Sequence, residues 1–310
     1  MDARQLRYFQ AVCEHRNVSH AANHCNVAQS AISAHIVALE EELGTALFVR
    51  KPRGMEPTAA GLRLYEHARF ILRSIEQARN DLRSASVDLV GEIAIGMPFS
   101  VIKVIGTELL GAVMRDHPQV RLILIEALSG IAYANLVAGE TDMALVYNPP
   151  PDEITNRRPL LQEELFCIGK PALIGEGTLP IALDEIARFP LALLRSNTLS
   201  RALSDRSGTF SRLERKASLQ LASIAATLGA LETGLACTIA PKVLVREQLK
   251  AGVLTARPIV EPTPVRTLMM LSRIADQPTH LRETMRELIE RMARGAVDRG
   301  DWIAASRPRD

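Results

Sequence analysis

The sequence has no long apolar run, no paired cysteines and almost no net charge, and each absence removes a class of protein. No stretch reaches the ~20 apolar residues that a membrane span needs, and no secretory apolar segment stands at the start, so no membrane association and a cytoplasmic location are expected. Cys13, Cys25, Cys167 and Cys237 are scattered without a CxxC pair, which argues against a disulfide framework or a zinc knuckle and predicts buried, reduced thiols. The seven histidines show no metal-ligand spacing. A nucleotide-binding glycine loop and a GxSxG elbow are also missing. Asp142 and Glu164 fall near strand boundaries with nothing to pair them as acid and base. No catalytic residue, metal or cofactor is therefore expected. The net charge is only +2, and residues 1–90 hold eleven Lys/Arg against ten Asp/Glu. Any affinity for nucleic acid must come from local placement of cations, not from bulk charge.

What is present is 310 residues at 47% hydrophobic content, enough for two or three domains. The most informative stretch is 28–40. At about 100° per residue, Ile32, Ile36, Leu39 and Leu43 share one stripe, a core face, while Ser30, Ser33, Ala34 and Val37 point away from it. Upstream, Ser19 can cap a helix over 20–25, and Asn26-Val27-Ala28 is a break of the length that sets two helices at a steep angle. A first helix carrying Leu6, Phe9, Val12 and Cys13 supplies the apolar surface for both. A small, nearly uncharged outer face fits a DNA groove; the plainer reading is a helical hairpin within a larger core. The run 47–55, a β-rich segment and then a Pro/Gly turn with Arg50, Lys51 and Arg53, favours the groove reader, because a wing there would reach phosphate.

Between Thr58 and Val87 there is no proline. Leu64, Ala68, Ile71, Ile75, Ala78, Leu82 and Ala85 recur at 4-3 spacing, a heptad seam on a helix of about 28 residues, roughly 42 Å long. Arg69, Arg73, Glu76, Arg79, Asp81 and Arg83 hold the other positions. The seam can pack on its own domain or on a twin. Charged flanks and small seam residues favour a homodimer, which would let two reading helices straddle two half-sites.

After Gly91 the pattern becomes an alternation of short strands and helices, with candidate strands at 93–96, 120–125, 143–147, 165–168, 191–194, 217–221, 237–240 and 268–271. This predicts an α/β region with mostly parallel sheets. There are too many strands for one small sheet, so a second lobe is expected after Ile168, with a return near 266–271 and a final helix over 279–292. Two crossovers leave a cleft between the lobes. Ligand groups gather where strand ends meet helix starts. Phe99, Ser100, Ser129, Tyr147, Arg195, Asn197, Thr198 and Ser223 are the candidates for a small polar or anionic effector. Singly, each is an ordinary cap or surface residue; as a set they converge on one cleft.

The stretches 6–9, 19–22, 29–44, 47–50 and 57–61, with the later 91–96, 160–165 and 234–241, carry a resemblance to the LysR family of bacterial transcriptional regulators, and within it to the nitrogen-assimilation-control branch. The resemblance covers nearly the whole chain. It implies an α+β multidomain fold: a winged helix-turn-helix (1–58), a long linker and dimerisation helix (59–88) and a two-lobed, periplasmic-binding-protein-like effector domain (89–300; lobe I about 91–164 and 266–294, lobe II about 165–265), then a tail (301–310). It further implies a homodimer or homotetramer on promoter inverted repeats, with RNA polymerase as a possible partner. Carried over, Ser19, Gln29, Ser30, Ser33, Ala34 and Val37 would face the duplex, and Arg50, Lys51 and Arg53 would form the wing. Ser30 stands where the family usually has proline, and Ala34 and Val37 stand where many members have basic residues. The wing and DNA deformability therefore gain weight. The competing class is an α/β enzyme or small-molecule-binding protein with a helical interaction domain.

Overall fold

The computed structural model describes residues 1–51, 54–83, 89–177, 179–194, 209–276 and 278–303, apart from the side chains of 73, 76–77, 80–83 and 209–211. The chain divides into two compact units, Met1–Val87 and Asp88–Asp310.

In the first unit, helices α1 (Ala3–His15), α2 (Val18–Cys25) and α3 (Gln29–Leu43) precede strands β1 (Phe48–Lys51) and β2 (Gly54–Pro57) and helix α4 (Ala59–Arg83). Helix α1 begins with a capping box, in which Asp2 accepts from Arg4 and Gln5 amides and the Gln5 side chain accepts from the Asp2 amide. Helix α2 starts earlier than the sequence pattern suggests. Asn17, in extended conformation, accepts from the Ser19 and His20 amides and is the cap, so Ser19 lies inside the helix. Leu6, Phe9, Val12, Ile32, Ile36 and Leu39 form one buried cluster. Leu43 is not part of it: as the last residue of α3 it overshoots the core and stays 40% exposed.

The two strands form an antiparallel hairpin, with Arg50 opposite Met55 and Lys51 opposite Gly54. It is packed tightly at both ends. A Cβ at Gly61 would stand 2.1 Å from the Leu47 carbonyl oxygen, and one at Gly54, which has φ +139°, would stand 2.2 Å from that of Arg16.

The first half of α4 packs on its own unit. Ala68 is fully buried in the helix-turn-helix core, with Leu64, Tyr65, Ile71 and Leu72 against it. The expected intermolecular seam is thus split. Ala68 has no surface left for a partner, because the close approach its small side chain permits is made to this core. Ile75 is half-buried and Ala78 exposed, whereas Leu82 as a side chain and Ala85 lie outside the described residues.

The second unit opens with β3 (Gly91–Met97) and a helical stretch ending in α5 (Thr107–Asp116), then β4 (Val120–Glu126), α6 (Ser129–Val137), β5 (Met143–Tyr147), β6 (Thr155–Glu164), β7 (Phe166–Gly169), β8 (Ile181–Ala182), β9 (Ala192–Leu194) and β10 (Leu219–Leu221). It continues with α7 (Ile224–Glu232), β11 (Thr238–Ala240), β12 (Thr255–Val260), β13 (Val265–Arg273) and α8 (His280–Asp298). One sheet has the order β4-β3-β5-β13-β6, and the second has β11-β7-β12-β8, with a two-stranded β10-β9 ribbon beside it. The sheets are mixed, not mostly parallel. Strands β6 and β13 are the two crossovers; they pair antiparallel, and β13 also runs antiparallel to β5. Strands β6 and β12 carry no clear strand pattern in sequence, because Pro159 and Pro258 interrupt them and their apolar alternation is poor. Pro159 sits beside a register shift between Leu268 and Met269 that absorbs its missing donor.

The first lobe buries Ile93, Ile95, Leu145, Tyr147, Met285, Ile289 and Trp302 in one core. Its other face is locked by charge: Asp142, 1% exposed, accepts from the Ala94 amide at 2.8 Å and pairs with Arg282 at 3.2 Å. Asp142 is therefore a structural carboxylate. Gly61→Ala is expected to destabilise the first unit by about 2 kcal/mol, the scale of an overpacked contact that must move backbone. The measure is the urea midpoint of far-UV dichroism, and an unchanged midpoint would show that the contact relaxes freely.

Candidate nucleic-acid interface and ligand cleft

The core stripe of α3 fixes the opposite face outward. Gln29, Ser30, Ala34 and Val37 are exposed and Ser33 is half-buried, so a surface of short side chains runs along the helix. Ser19 in α2 donates its hydroxyl to Gln29 Oε1 at 3.0 Å, which joins two of the expected contact residues into one polar corner. Glu40 was not singled out from sequence. Its Oε1 accepts from the Leu47 and Phe48 amides at 2.7 and 3.1 Å, tying the end of α3 to the first wing strand. Arg50 and Lys51 are exposed on that strand. Lys51 has Glu56 at 3.8 Å across the hairpin, an exposed pair that holds little. Arg53 lies outside the described residues. Cys13 and Cys25 are half-buried, not buried, because both sit at the rim of the helical core; burial pushes the Cys13 thiol up to about 12. Cys167 and Cys237 are buried and free.

In the second unit a cavity of about 70 Å³ lies between the lobes. Four of the expected effector residues, Phe99, Ser100, Ser129 and Tyr147, line it together. Ser223 does not: it is an exposed cap whose oxygen accepts from the Ala226 amide at 3.2 Å, and the α7 residue at the cavity is Ile224. Arg195, Asn197 and Thr198 lie outside the described residues. The rest of the lining is largely aliphatic, with Leu128, Leu165, Leu194, Ile239 and Leu244 among it.

Arg266, unremarked in the sequence, dominates the polar end. Its guanidinium stacks 3.5 Å over the Tyr147 ring. Nε and Nη2 donate to Glu163 Oε1 at 2.8 and 2.6 Å, and Nη2 also donates to Ser100 Oγ at 3.1 Å. Glu163 Oε2 in turn accepts from the Trp302 indole at 3.1 Å. Burial opposes the Arg266 charge, yet Glu163 outweighs it and the pKa stands above the usual arginine value. Burial pushes the Tyr147 phenol well above its usual value, so it stays protonated. The legible signal was a cross-strand one: Arg266 and Glu163 face each other on the two crossover strands.

Comparison with known proteins matches residues 87–294 to the LysR substrate binding domain and residues 3–62 to the bacterial regulatory helix-turn-helix protein of the lysR family. The chain belongs to the LysR family. It is a DNA-binding transcriptional regulator with an effector-binding C-terminal domain, and not an enzyme. Relatives of this LysR-family regulator include the nitrogen assimilation regulatory protein nac of Klebsiella aerogenes, 32% identical over 78% of this chain and 79% of that one. The HTH-type transcriptional regulator BbuR of Bordetella bronchiseptica is 28% identical over 97% and 93%. The fold is shared with full-length CbnR in complex with its target DNA, at TM-score 0.63 and 23% identity over 96% of this chain and all of that one. ArgP from Mycobacterium tuberculosis gives the same TM-score at 19% identity over 95% and 98%. Among the described residues no helix is long and apolar enough to cross a membrane.

Breaking the buried pair with Arg266→Ala is expected to destabilise the second unit by about 3 kcal/mol, because Glu163 is left charged and buried. Glu163→Ala combined with it should recover part of that loss, a coupling of about 2 kcal/mol in a double-mutant cycle. Urea unfolding followed by the single tryptophan, Trp302, reads this unit directly. Additive effects would mean that the pair contributes nothing as a pair.

Proposed function

We propose that Gln29, Ser30, Ser33, Ala34 and Val37 enter a major groove of promoter DNA with Ser19 beside them, while Arg50, Lys51 and Arg53 hold phosphates or an adjacent minor groove. The observation that carries this is the outward row of small side chains on α3, backed by the buried stripe Ile32, Ile36 and Leu39. Such a row admits close approach to base edges, and the cations that supply sequence-independent affinity stand on the wing to which Glu40 ties the helix. Few cations lie on the reading helix itself, so the wing carries most of the phosphate contacts.

Two copies are needed to read an inverted repeat. The half of α4 with Ile75, Ala78 and Leu82 is the contact we assign to the dimer, since Leu64, Ala68 and Ile71 serve their own unit. The cavity lined by Phe99, Ser100, Ser129 and Tyr147 is the effector site, and closure of the two lobes around a ligand alters the spacing and bend that a homodimer or homotetramer imposes on DNA. RNA polymerase is the downstream partner that such a change would reach. CbnR, which shares this fold, is known in complex with its target DNA, and this supports the first part of the reading.

Arg50→Ala is expected to weaken binding to all duplexes and to lower the salt slope by about 1. Gln29→Ala should cost about 1–2 kcal/mol on a selected operator and nothing on random DNA. Fluorescence anisotropy against ionic strength separates the two. Equal losses on both DNAs for both variants would overturn this division.

A further inference from the structure

A second cavity, of about 310 Å³, lies in the same unit as the cleft and shares Pro241 with it. Leu244 of the helical stretch 242–250 lines the cleft, whereas Lys242, Val243, Arg246, Leu249 and Lys250 line the second cavity, so one stretch separates the two. We propose that this cavity is a second small-molecule site, distinct from the cleft, and that it takes an organic anion: a carboxylate carried on an aromatic or hydrocarbon body. The site stands whether or not the cleft holds the effector.

Lys242, Arg246 and Lys250 follow one another at intervals of four residues, so they return to one side of the stretch, and all three line the cavity. Lys242 holds its ammonium 4.3 Å over the Phe166 ring, which fixes that charge at the wall. Arg246 pairs at 3.6 Å with Asp301, beyond α8, and Lys250 is exposed at the rim. Three carboxylates also line the cavity, and two are already held. Glu163 lies between Arg266 and the Trp302 indole, and Asp301 is taken by Arg299 at 2.9 Å as well as by Arg246. Glu164, half-buried on β6, belongs to the strand wall and so turns an anionic head toward the helical one. Phe166, Val243, Leu249, Trp302 and Ile303 give an apolar body its contacts. The volume stands at the lower end of small-molecule pockets, which run to about 300–1,000 Å³. Because Glu163 lines this cavity and holds Arg266 at the cleft, a ligand here touches the network that the cleft uses.

The test uses three probes with one body on the full chain: phenylbutyrate, phenylbutanol and phenylbutylamine. Binding is followed by calorimetry and by the fluorescence of Trp302, the single tryptophan, which lines the cavity. Phenylbutyrate is expected to bind at least about fivefold more tightly than the other two. Lys242→Gln combined with Lys250→Gln should remove that preference and leave the alcohol unchanged. Leu249→Phe combined with Ile303→Phe fills the cavity and should abolish binding of all three. Leu128→Phe combined with Ile224→Phe narrows the cleft instead and should leave phenylbutyrate binding as it is. Should one of the two cavity variants fail to fold, the other decides. Tighter binding of the alcohol or the amine, or no binding of any probe at about 10 mM, would overturn the proposal. So would phenylbutyrate binding that survives both cavity variants or is lost in the cleft variant. Binding that appears only after residues 304–310 are removed would overturn it too, and would assign the cavity to the chain's own end.

Discussion

Ile32, Ile36 and Leu39 are inserted into the core against Leu6, Phe9 and Val12, and that insertion decides which face of α3 meets solvent. A helix of 15 residues with one buried stripe has no rotational freedom left. Everything attributed to the first unit follows from it. The small outer face is exposed because the opposite one is not. Glu40 reaches the wing amides because it lies between Leu39 and the helix end, on the side facing the hairpin. Glycine at 61 keeps α4 close enough for Thr58 to bond the Ala46 carbonyl and the Gly61 amide. Rigid placement of the wing relative to the helix is what lets phosphate contacts set the register for base contacts.

In the second unit the equivalent constraint is electrostatic. Two crossover strands place Glu163 opposite Arg266, and the tryptophan that follows α8 closes over the carboxylate. The same chain of contacts runs from Ser100 and Tyr147 at the cavity to Trp302 and then to Asp301, which pairs with Arg246 of the second lobe at 3.6 Å. The ligand end of the cleft and the segment beyond α8 thus share one hydrogen-bonded network. A ligand that disturbed Arg266 would disturb both.

Most of the first unit was readable from periodicity, since three short helices with strict apolar spacing and a cationic hairpin leave few alternatives. The errors there were local. Asn17 caps α2 in place of Ser19, whose hydroxyl goes to Gln29 instead. The heptad seam in α4 was real as a pattern, but spacing says that a face is buried and not what buries it. Ala68 shows the difference. In the second unit, β6 and β12 escaped notice because prolines and charges interrupt them, and sheet pairing rescued both. Strand-end serines located part of the cleft. Arg266 did not stand out, because one charged residue in a strand is recognisable as a buried pair only when the partner strand's register is known.

The central claim is that the outward face of α3 meets DNA. The direct measurement is selection of duplexes from a random pool by the full chain and by Ser33→Glu, a substitution on the outward face of a half-buried position, with the unfolding midpoint of both proteins measured alongside. The account predicts that wild type enriches an interrupted inverted repeat and that Ser33→Glu enriches nothing. Recovery of the same repeat by both proteins, or of no repeat by wild type, would contradict it.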